Sequence, residues 1–336
     1  MMLKISLTSQ ELPAYFLTDK DIEQAMGDKI EFLKELISVT KAILSDLRSY
    51  TFDKISLYAK TSDPAYPTKI RAMAGCYGRY SVVRSFSANE RNREMGRRRS
   101  NNFCVIYDNE TTDIIAIAEG NLISDYRTAS IAAVGLDAVM KEDYAVAVLG
   151  ATGSVGNAVL QSLSALDKKP RKVVISARGR GGFSSVKERL EDYIRRMGVD
   201  LNVEPSESIE ECVKGTDAVI DLISMPKPIP LVKEGMLPER VTYIDVGKNA
   251  LDHEFAMKFD TYVFDSVELR KLPSPATFAL SIRTMLAERN FRVIEIGDIL
   301  TGRERPGDMT LITVLGVPVV DAAFCQIVMR KLSLIA

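Results

Sequence analysis

Glycines at 150, 153 and 156 stand in the stretch Ala145–Gly156, AVAVLGATGSVG, after five apolar residues and before an apolar helical run. This spacing suits phosphate chemistry. The first glycine allows a tight turn, the second lets backbone approach a pyrophosphate, and the third lets the following helix pack closely on the strand. The helix N-terminus then offers free N–H groups and a partial positive charge to an anion. The order is G-x-x-G-x-x-G, so context carries the argument. A buried strand is expected at Ala145–Leu149, a helix from Asn157 through Leu166, and a second strand at Lys172–Ser176, the distance a βαβ unit needs. Within the turn, Gly150, Thr152, Gly153, Ser154, Val155 and Gly156 are the residues expected to touch a dinucleotide.

The second strand runs into Ser176-Ala177-Arg178-Gly179-Arg180, and no acid follows until Glu188. An acid here would bind a ribose 2′-hydroxyl, whereas arginine suits a 2′-phosphate. Ser176, Arg178 and Arg180 are therefore expected to form a 2′-phosphate pocket, with NADP(H) as cofactor. A solvated loop is the alternative for the two arginines. Further strands are expected at Ala218–Leu222, Thr242–Val246 and Thr261–Phe264. Ligands of open parallel sheets sit at the carboxyl ends of strands. Gly150–Gly156, Ser176–Arg180, Ile223–Pro226 and Gly247-Lys248-Asn249 converge there, which adds Ser224, Met225 and Gly247 to the cofactor set.

Arg127 lies near the start of an expected helix over residues 121–140, where the helix dipole gives a cation no support. That placement favours a ligand role. The segment Asn89–Asn102 carries arginines 91, 93, 97, 98 and 99. Such a run is ordinarily a solvated loop; its functional alternative is a clamp for an anionic substrate. No recognition module for nucleic acid accompanies it. Cys76, Cys104, Cys212 and Cys325 show no C-x-x-C spacing, and His253 is the single histidine, so no metal site is expected. Scattered cysteines fit a reducing, cytoplasmic setting.

These residues need elements to position them. At 336 residues, the chain can build two domains and a large core. A net charge of −1 with 46% apolar residues implies no global polyanion partner. No run reaches the roughly 18 apolar residues of a membrane span, and the N-terminus has charges and a proline where a signal peptide needs an apolar stretch. Thr18 with Asp21 three positions on resembles a capping box. Behind it Ile22, Met26, Ile30, Leu33, Leu36, Ile37 and Leu44 recur at helical spacing. Residues 54–119 read as an antiparallel sheet, with strands at Ile55–Lys60, Ile70–Tyr77, Tyr80–Phe86, Phe103–Asp108 and Ile114–Glu119. A short strand at Met309–Val314 and a final helix from about Pro318 close the chain.

Taken together, these segments resemble the ornithine cyclodeaminase/mu-crystallin family over most of the chain. The specific parts are Ile123–Ala133, ISDYRTASIAA, which resembles the family's Arg-Thr-Ala helix, and the C-terminal GRERPGDMTLITVLGVPVVDAA. The stretch YIDVGKNALDHEF resembles its glycine loop. The resemblance implies an α/β fold: a Rossmann-like doubly wound parallel sheet plus a discontinuous α+β domain for substrate binding and dimerisation. The expected division is 1–127 and 303–336 for the substrate domain and 128–302 for the dinucleotide domain. The resemblance also implies a homodimer, and hydride transfer between a nicotinamide and the α-carbon of a small amino or imino acid. Arg127 matches the family's substrate-carboxylate arginine, and Thr128 the adjoining residue near the cofactor phosphates.

Three departures bear on mechanism. The family turn is usually G-x-G-x-Q. The family's substrate lysine falls at Arg84, which is always charged. The cyclodeaminase aspartate falls at Asn249, which cannot take a proton. Cyclisation of ornithine is therefore not expected. Lys248 or Asn249 would polarise the reacting group, and Arg84 would assist Arg127. The expected activity is NADP(H)-dependent reduction or dehydrogenation of an imino, keto or amino acid. The alternatives are a nucleotide-binding protein without turnover and a reductase of a larger anionic substrate.

Overall fold

A computed structural model describes residues 3–7, 14–177, 185–224, 229–247, 250–271 and 291–335. The chain divides into two compact units. The first comprises 1–32, 46–127 and 317–336; the second comprises 33–45 and 128–316.

The first unit is built on a seven-stranded sheet. Its strands are β1 (Leu3–Ile5), β2 (Ala14–Leu17), β3 (Phe52–Ala59), β4 (Thr68–Tyr77), β5 (Tyr80–Ala88), β6 (Ser100–Asp108) and β7 (Ile114–Glu119), in the order β1-β2-β7-β6-β5-β4-β3. All neighbours are antiparallel except β2 and β7. Side chains alternate between faces, as the pleat requires. One face carries Lys54, Met73, Arg84 and Cys104 in one register row, and Ser56, Arg71, Phe86 and Asn102 in the next. The C-terminal helix Pro318–Lys331, almost wholly buried, packs on β4 and β5. Proline at its first turn suits a helix start, where the missing N–H has no partner to lose. A Cβ on Gly75 would stand 2.5 Å from the Pro318 carbonyl carbon, so glycine is what lets the helix seat on β4.

The opposite face of the same sheet exposes Ile55 and Leu57, both 56% accessible, and Ile70, Val83 and Phe103. Leu57 is registered with Ile70 and Val83 with Val105, so these side chains form a continuous apolar surface. The capping box forms as expected: the Thr18 hydroxyl accepts from the Asp21 N–H and the Asp21 carboxylate accepts from the Thr18 N–H at 3.0 Å. The arginine-rich stretch contains one helical turn, Arg91–Glu94, and then feeds β6.

The second unit holds an eight-stranded, all-parallel sheet. Its strands are β8 (Ala145–Leu149), β9 (Lys172–Ser176), β10 (Val203–Pro205), β11 (Ala218–Asp221), β12 (Val241–Asp245), β13 (Thr261–Phe264), β14 (Arg292–Glu295) and β15 (Met309–Thr313), ordered β10-β9-β8-β11-β12-β15-β13-β14. β8, β11, β12 and β13 are buried on both faces, as parallel strands between helix layers are. This is the Rossmann-like arrangement that the glycine turn and the family resemblance lead one to expect.

Two segments fall differently from the expected division. Met309–Thr313 inserts between β12 and β13, so the stretch from 303 to 316 belongs to the second unit and only Val317 onward to the first. A strand buried at four of its five positions finds its partners in the middle of a parallel sheet. Most of the helix Lys29–Ser45, from Leu33 on, also joins the second unit. There Lys41 pairs with Asp137 at 2.9 Å, the Thr40 and Ser130 hydroxyls lie 3.1 Å apart, and Gly297 leaves room for the Leu44 carbonyl.

Candidate active site

In the first unit a single carboxylate organises the buried polar groups. Asp321, one turn into the C-terminal helix and 1% exposed, faces Arg84 Nε through Oδ2 at 3.3 Å and Arg127 Nε through Oδ1 at 3.0 Å. These are charge–charge contacts and not aligned hydrogen bonds. Arg84 is enclosed at 1% exposure, its Nη1 donating to Asn102 Oδ1 at 3.0 Å and its Nη2 to Met73 Sδ at 3.2 Å. Asn102 donates in turn to Asn121 Oδ1 at 3.0 Å. Every guanidinium nitrogen of Arg84 thus has a protein neighbour. These neighbours hold the Arg84 guanidinium against Asp321.

Arg127 lies in the second turn of the helix Asn121–Val139, not at its first residue. It is buried and paired with Asp321. Asp321 thus faces two guanidiniums in a desolvated setting, where charged groups persist only when held by partners.

Sequence reading missed Asp321. The signal was present: an acid within VPVVDAAFCQIV, a helix whose other residues are apolar, must find a buried cation. By contrast the arginine run is engaged at the surface. Arg99 pairs with Glu90 at 2.5 Å, Arg98 with Asp19 at 3.8 Å and Arg91 with Asp63 at 4.0 Å.

In the second unit the glycine turn forms an open cradle. Gly150 takes φ +79°, a conformation other residues rarely adopt, and its N–H donates to the Ser176 carbonyl at 2.9 Å. Gly153 caps a helix that runs Ser154–Ser164, three residues earlier than expected, because the chain turns into it directly from the glycine. Gly153 brings no side chain to cap the first N–H groups, which the helix itself cannot satisfy. A Cβ on Gly156 would overlap the Ala151 backbone. Gly153 and Ser154 are exposed, Thr152 and Val155 half-buried, while strand and helix on either side are buried. Uncapped donors at a turn in which Gly156 leaves no room for a side chain fit a dinucleotide pyrophosphate. Arg189, from the helix Val186–Met197, donates to Thr152 Oγ1 at 3.1 Å and brings a cation to this turn that sequence reading did not single out.

Ser176 is buried at the end of β9, Thr128 is half-buried on its helix, and Ser224 follows β11. Gly247 lies so close to the Ile223 backbone that a Cβ would overlap it, which brings the loops after β11 and β12 together. Arg178, Arg180, Met225, Lys248 and Asn249 lie outside the described residues.

Beneath those two loops sits a second buried carboxyl. Asp221 and Asp245 end adjacent strands and are paired in register. Asp221 accepts from the Ile223 N–H at 2.8 Å and from the Tyr243 hydroxyl at 2.9 Å. Burial, with the Asp245 charge adding to it, pushes its pKa up to about 8. It is therefore a protonated acid near neutral pH.

The whole pattern has counterparts. A sequence model of the ornithine cyclodeaminase/mu-crystallin family matches residues 19–334. The chain belongs to that family. It is 21% identical over 331 residues to N-((2S)-2-amino-2-carboxyethyl)-L-glutamate dehydrogenase of Staphylococcus aureus, covering 94% of each chain. The solved structure of Thermococcus litoralis Delta(1)-pyrroline-2-carboxylate reductase, in complex with NADH and L-proline, shares the fold. It has a TM-score of 0.76 and 18% identity, over 94% of this chain and 96% of that one. An archaeal alanine dehydrogenase dimer with bound NAD superposes with a TM-score of 0.73 and 17% identity, over 95% of this chain and 96% of that one. Both of these solved structures share the fold, one with NADH and the other with NAD bound.

The Asp221 carboxyl gives a pH test. Its folded pKa lies above its unfolded value of 3.8, so the stability it carries is fully present below that value and is lost as pH rises through about 8. Asp221→Asn keeps an acceptor for Ile223 and removes the titration. Melting temperatures measured at pH 6 and pH 9 should fall less in the variant than in the wild type, by on the order of 5 °C. Equal falls would mean that Asp221 stays ionised in the folded chain.

Proposed function

We propose that the chain is an NADP(H)-dependent oxidoreductase of a small imino, keto or amino acid. The observation that carries this reading is Arg127, held by Asp321 in a buried cluster beside Arg84, in a chain that also builds an open glycine turn before a helix. A guanidinium oriented from one side can grip a carboxylate with parallel hydrogen bonds and fix the neighbouring carbon. Arg84 and Asp321 are positioning residues for it. Gly150, Thr152, Gly153, Ser154, Val155, Gly156, Thr128, Ser224 and Gly247 are the proposed cofactor contacts, with Met225 added from sequence. Lys248 or Asn249 is the proposed group that polarises the reacting nitrogen or oxygen. The cofactor supplies hydride donation or acceptance at nicotinamide C4.

The relatives described above, a dehydrogenase of an amino acid derivative and a reductase seen with NADH and L-proline, support an oxidoreductase of an amino or imino acid. The absence of an acid between Ser176 and Glu188, with Arg178 and Arg180 in that interval, supports NADP(H) as the preferred form.

Arg127→Lys keeps charge opposite Asp321 but loses the fork. Assayed by nicotinamide absorbance with α-oxo acids and ammonia or small amines, kcat/KM should fall by about 30- to 1000-fold, with NADPH affinity and melting temperature nearly unchanged. Full activity in this variant would refute the carboxylate anchor. Absence of turnover with every oxo acid and either nucleotide would favour a nucleotide-binding protein.

Fluorescence titration should give NADPH a dissociation constant roughly ten-fold or more below that of NADH, the worth of one charge-assisted phosphate contact. Equal constants would remove the 2′-phosphate pocket from the reading.

The apolar outer face of the seven-stranded sheet supports a homodimer through the first unit, and the archaeal alanine dehydrogenase with this fold is a dimer. Light scattering should return twice the 37.2 kDa chain mass, and Leu57→Lys with Val83→Arg should halve it. A wild-type monomer at micromolar concentration would contradict this assembly.

A further inference from the structure

Beside the Arg84–Asp321–Arg127 cluster, on the same face of the sheet, lies a cation that the cluster does not use. Arg71 on β4 is two residues from Met73, which is registered with Arg84 on β5, so Arg71 stands diagonally next to Arg84. The C-terminal helix seats on Gly75 and reaches Arg84 through Asp321, whereas the row of Ser56, Arg71 and Phe86 beyond is only half-buried. Arg71 Nε donates to Ser56 Oγ at 3.1 Å, and its guanidinium lies 5.9 Å from the Phe86 ring centroid. Both contacts orient it and neither neutralises it. Among the described residues no carboxylate pairs with Arg71.

We propose that Arg71 is a second carboxylate subsite beside Arg127, so that the substrate is an imino or amino acid with at least two carboxylates. This rests on the oxidoreductase reading above and narrows its substrate class. Asp321 serves Arg84 and Arg127, and no carboxylate among the described residues faces Arg71. A carboxylate held at Arg127 leaves Arg71 to take a second one. Burial lowers the Arg71 pKa to about 10; Tyr58 acts against this, and the like charges of Arg84, Arg127 and Arg99 act with it. The Ser56 bond and the Phe86 ring pre-orient the guanidinium, which lowers the cost of engaging a planar carboxylate. The surface arginines at 91, 98 and 99 are paired with acids and do not supply this function.

The test compares 2-oxoglutarate with 2-oxopentanoate, both with ammonia and NADPH, in the wild type, Arg71→Met and Arg71→Lys. In parallel, calorimetry measures glutarate and butyrate binding to the same proteins with nucleotide present. The expected result is a wild-type preference for the dicarboxylate in both kcat/KM and affinity. That preference should fall by about 10- to 100-fold in Arg71→Met and recover in part in Arg71→Lys. No dicarboxylate preference in the wild type, or one that survives in a folded Arg71→Met protein, overturns the subsite. If neither oxo acid is reduced with either nucleotide, the oxidoreductase reading fails, and the calorimetric preference and its loss in Arg71→Met still decide the subsite.

Discussion

The first unit depends on one shared carboxylate. Asp321 meets two buried guanidiniums, those of Arg84 and Arg127. Breaking a buried pair of this kind costs about 3–5 kcal/mol, because the remaining charge is stranded. The pair contributes position more than stability. Pro318 and Asp321 are three residues apart on one helix face, and the helix is set down on β4 where Gly75 offers no side chain. That contact places Asp321 over the neighbouring row, where Arg84 lies. A helix register error of one residue would turn the carboxylate away from both arginines.

Close backbone approach recurs in the second unit with a different purpose. Gly156 brings the helix after the turn against Ala151, and Gly247 brings two strand-end loops together at Ile223. Both positions exclude any side chain, and both flank the carboxyl ends of parallel strands, where ligands of such sheets bind. Beneath them Asp221 is held neutral by burial and by Asp245, and it ties Tyr243 and the Ile223 N–H into one hydrogen-bonded group. The platform under the proposed nucleotide site is thus polar but uncharged at Asp221 near neutral pH.

Both units follow the same logic of charge. Where a buried ionisable group has a structural partner, as Arg84 has in Asp321 and Asn102, it is locked. Where a cation on the same sheet face has no carboxylate among the described residues, as Arg71, the proposed subsite is left for an anion. Arg91 and Arg98 illustrate the contrast, because their long contacts with Asp63 and Asp19, at 4.0 and 3.8 Å from exposed arginines, contribute little. Abundance of arginine is a poor guide to function here, and burial with an incomplete counter-charge is a better one.

Local signals in the sequence determined a good deal. The Thr18–Asp21 capping box, the alternating strands of residues 54–119, the glycine turn and the proline-started last helix each depend on neighbours a few residues apart, so they are legible from spacing. The parallel sheet followed from apolar strands separated by helical runs. What only the tertiary structure decided depends on residues far apart in the chain. Met309–Thr313 reads as a generic apolar strand, and its place between β12 and β13 is set by which strands have open edges. Asp321 and Arg84 are 237 positions apart by their numbers, and no local rule pairs them. The state of Asp221 is likewise invisible in AVID, because its proton is held by burial and by Asp245 on another strand. Spacing encodes which element forms, whereas the balance of buried charge is a sum over neighbours that exist only once the chain has folded.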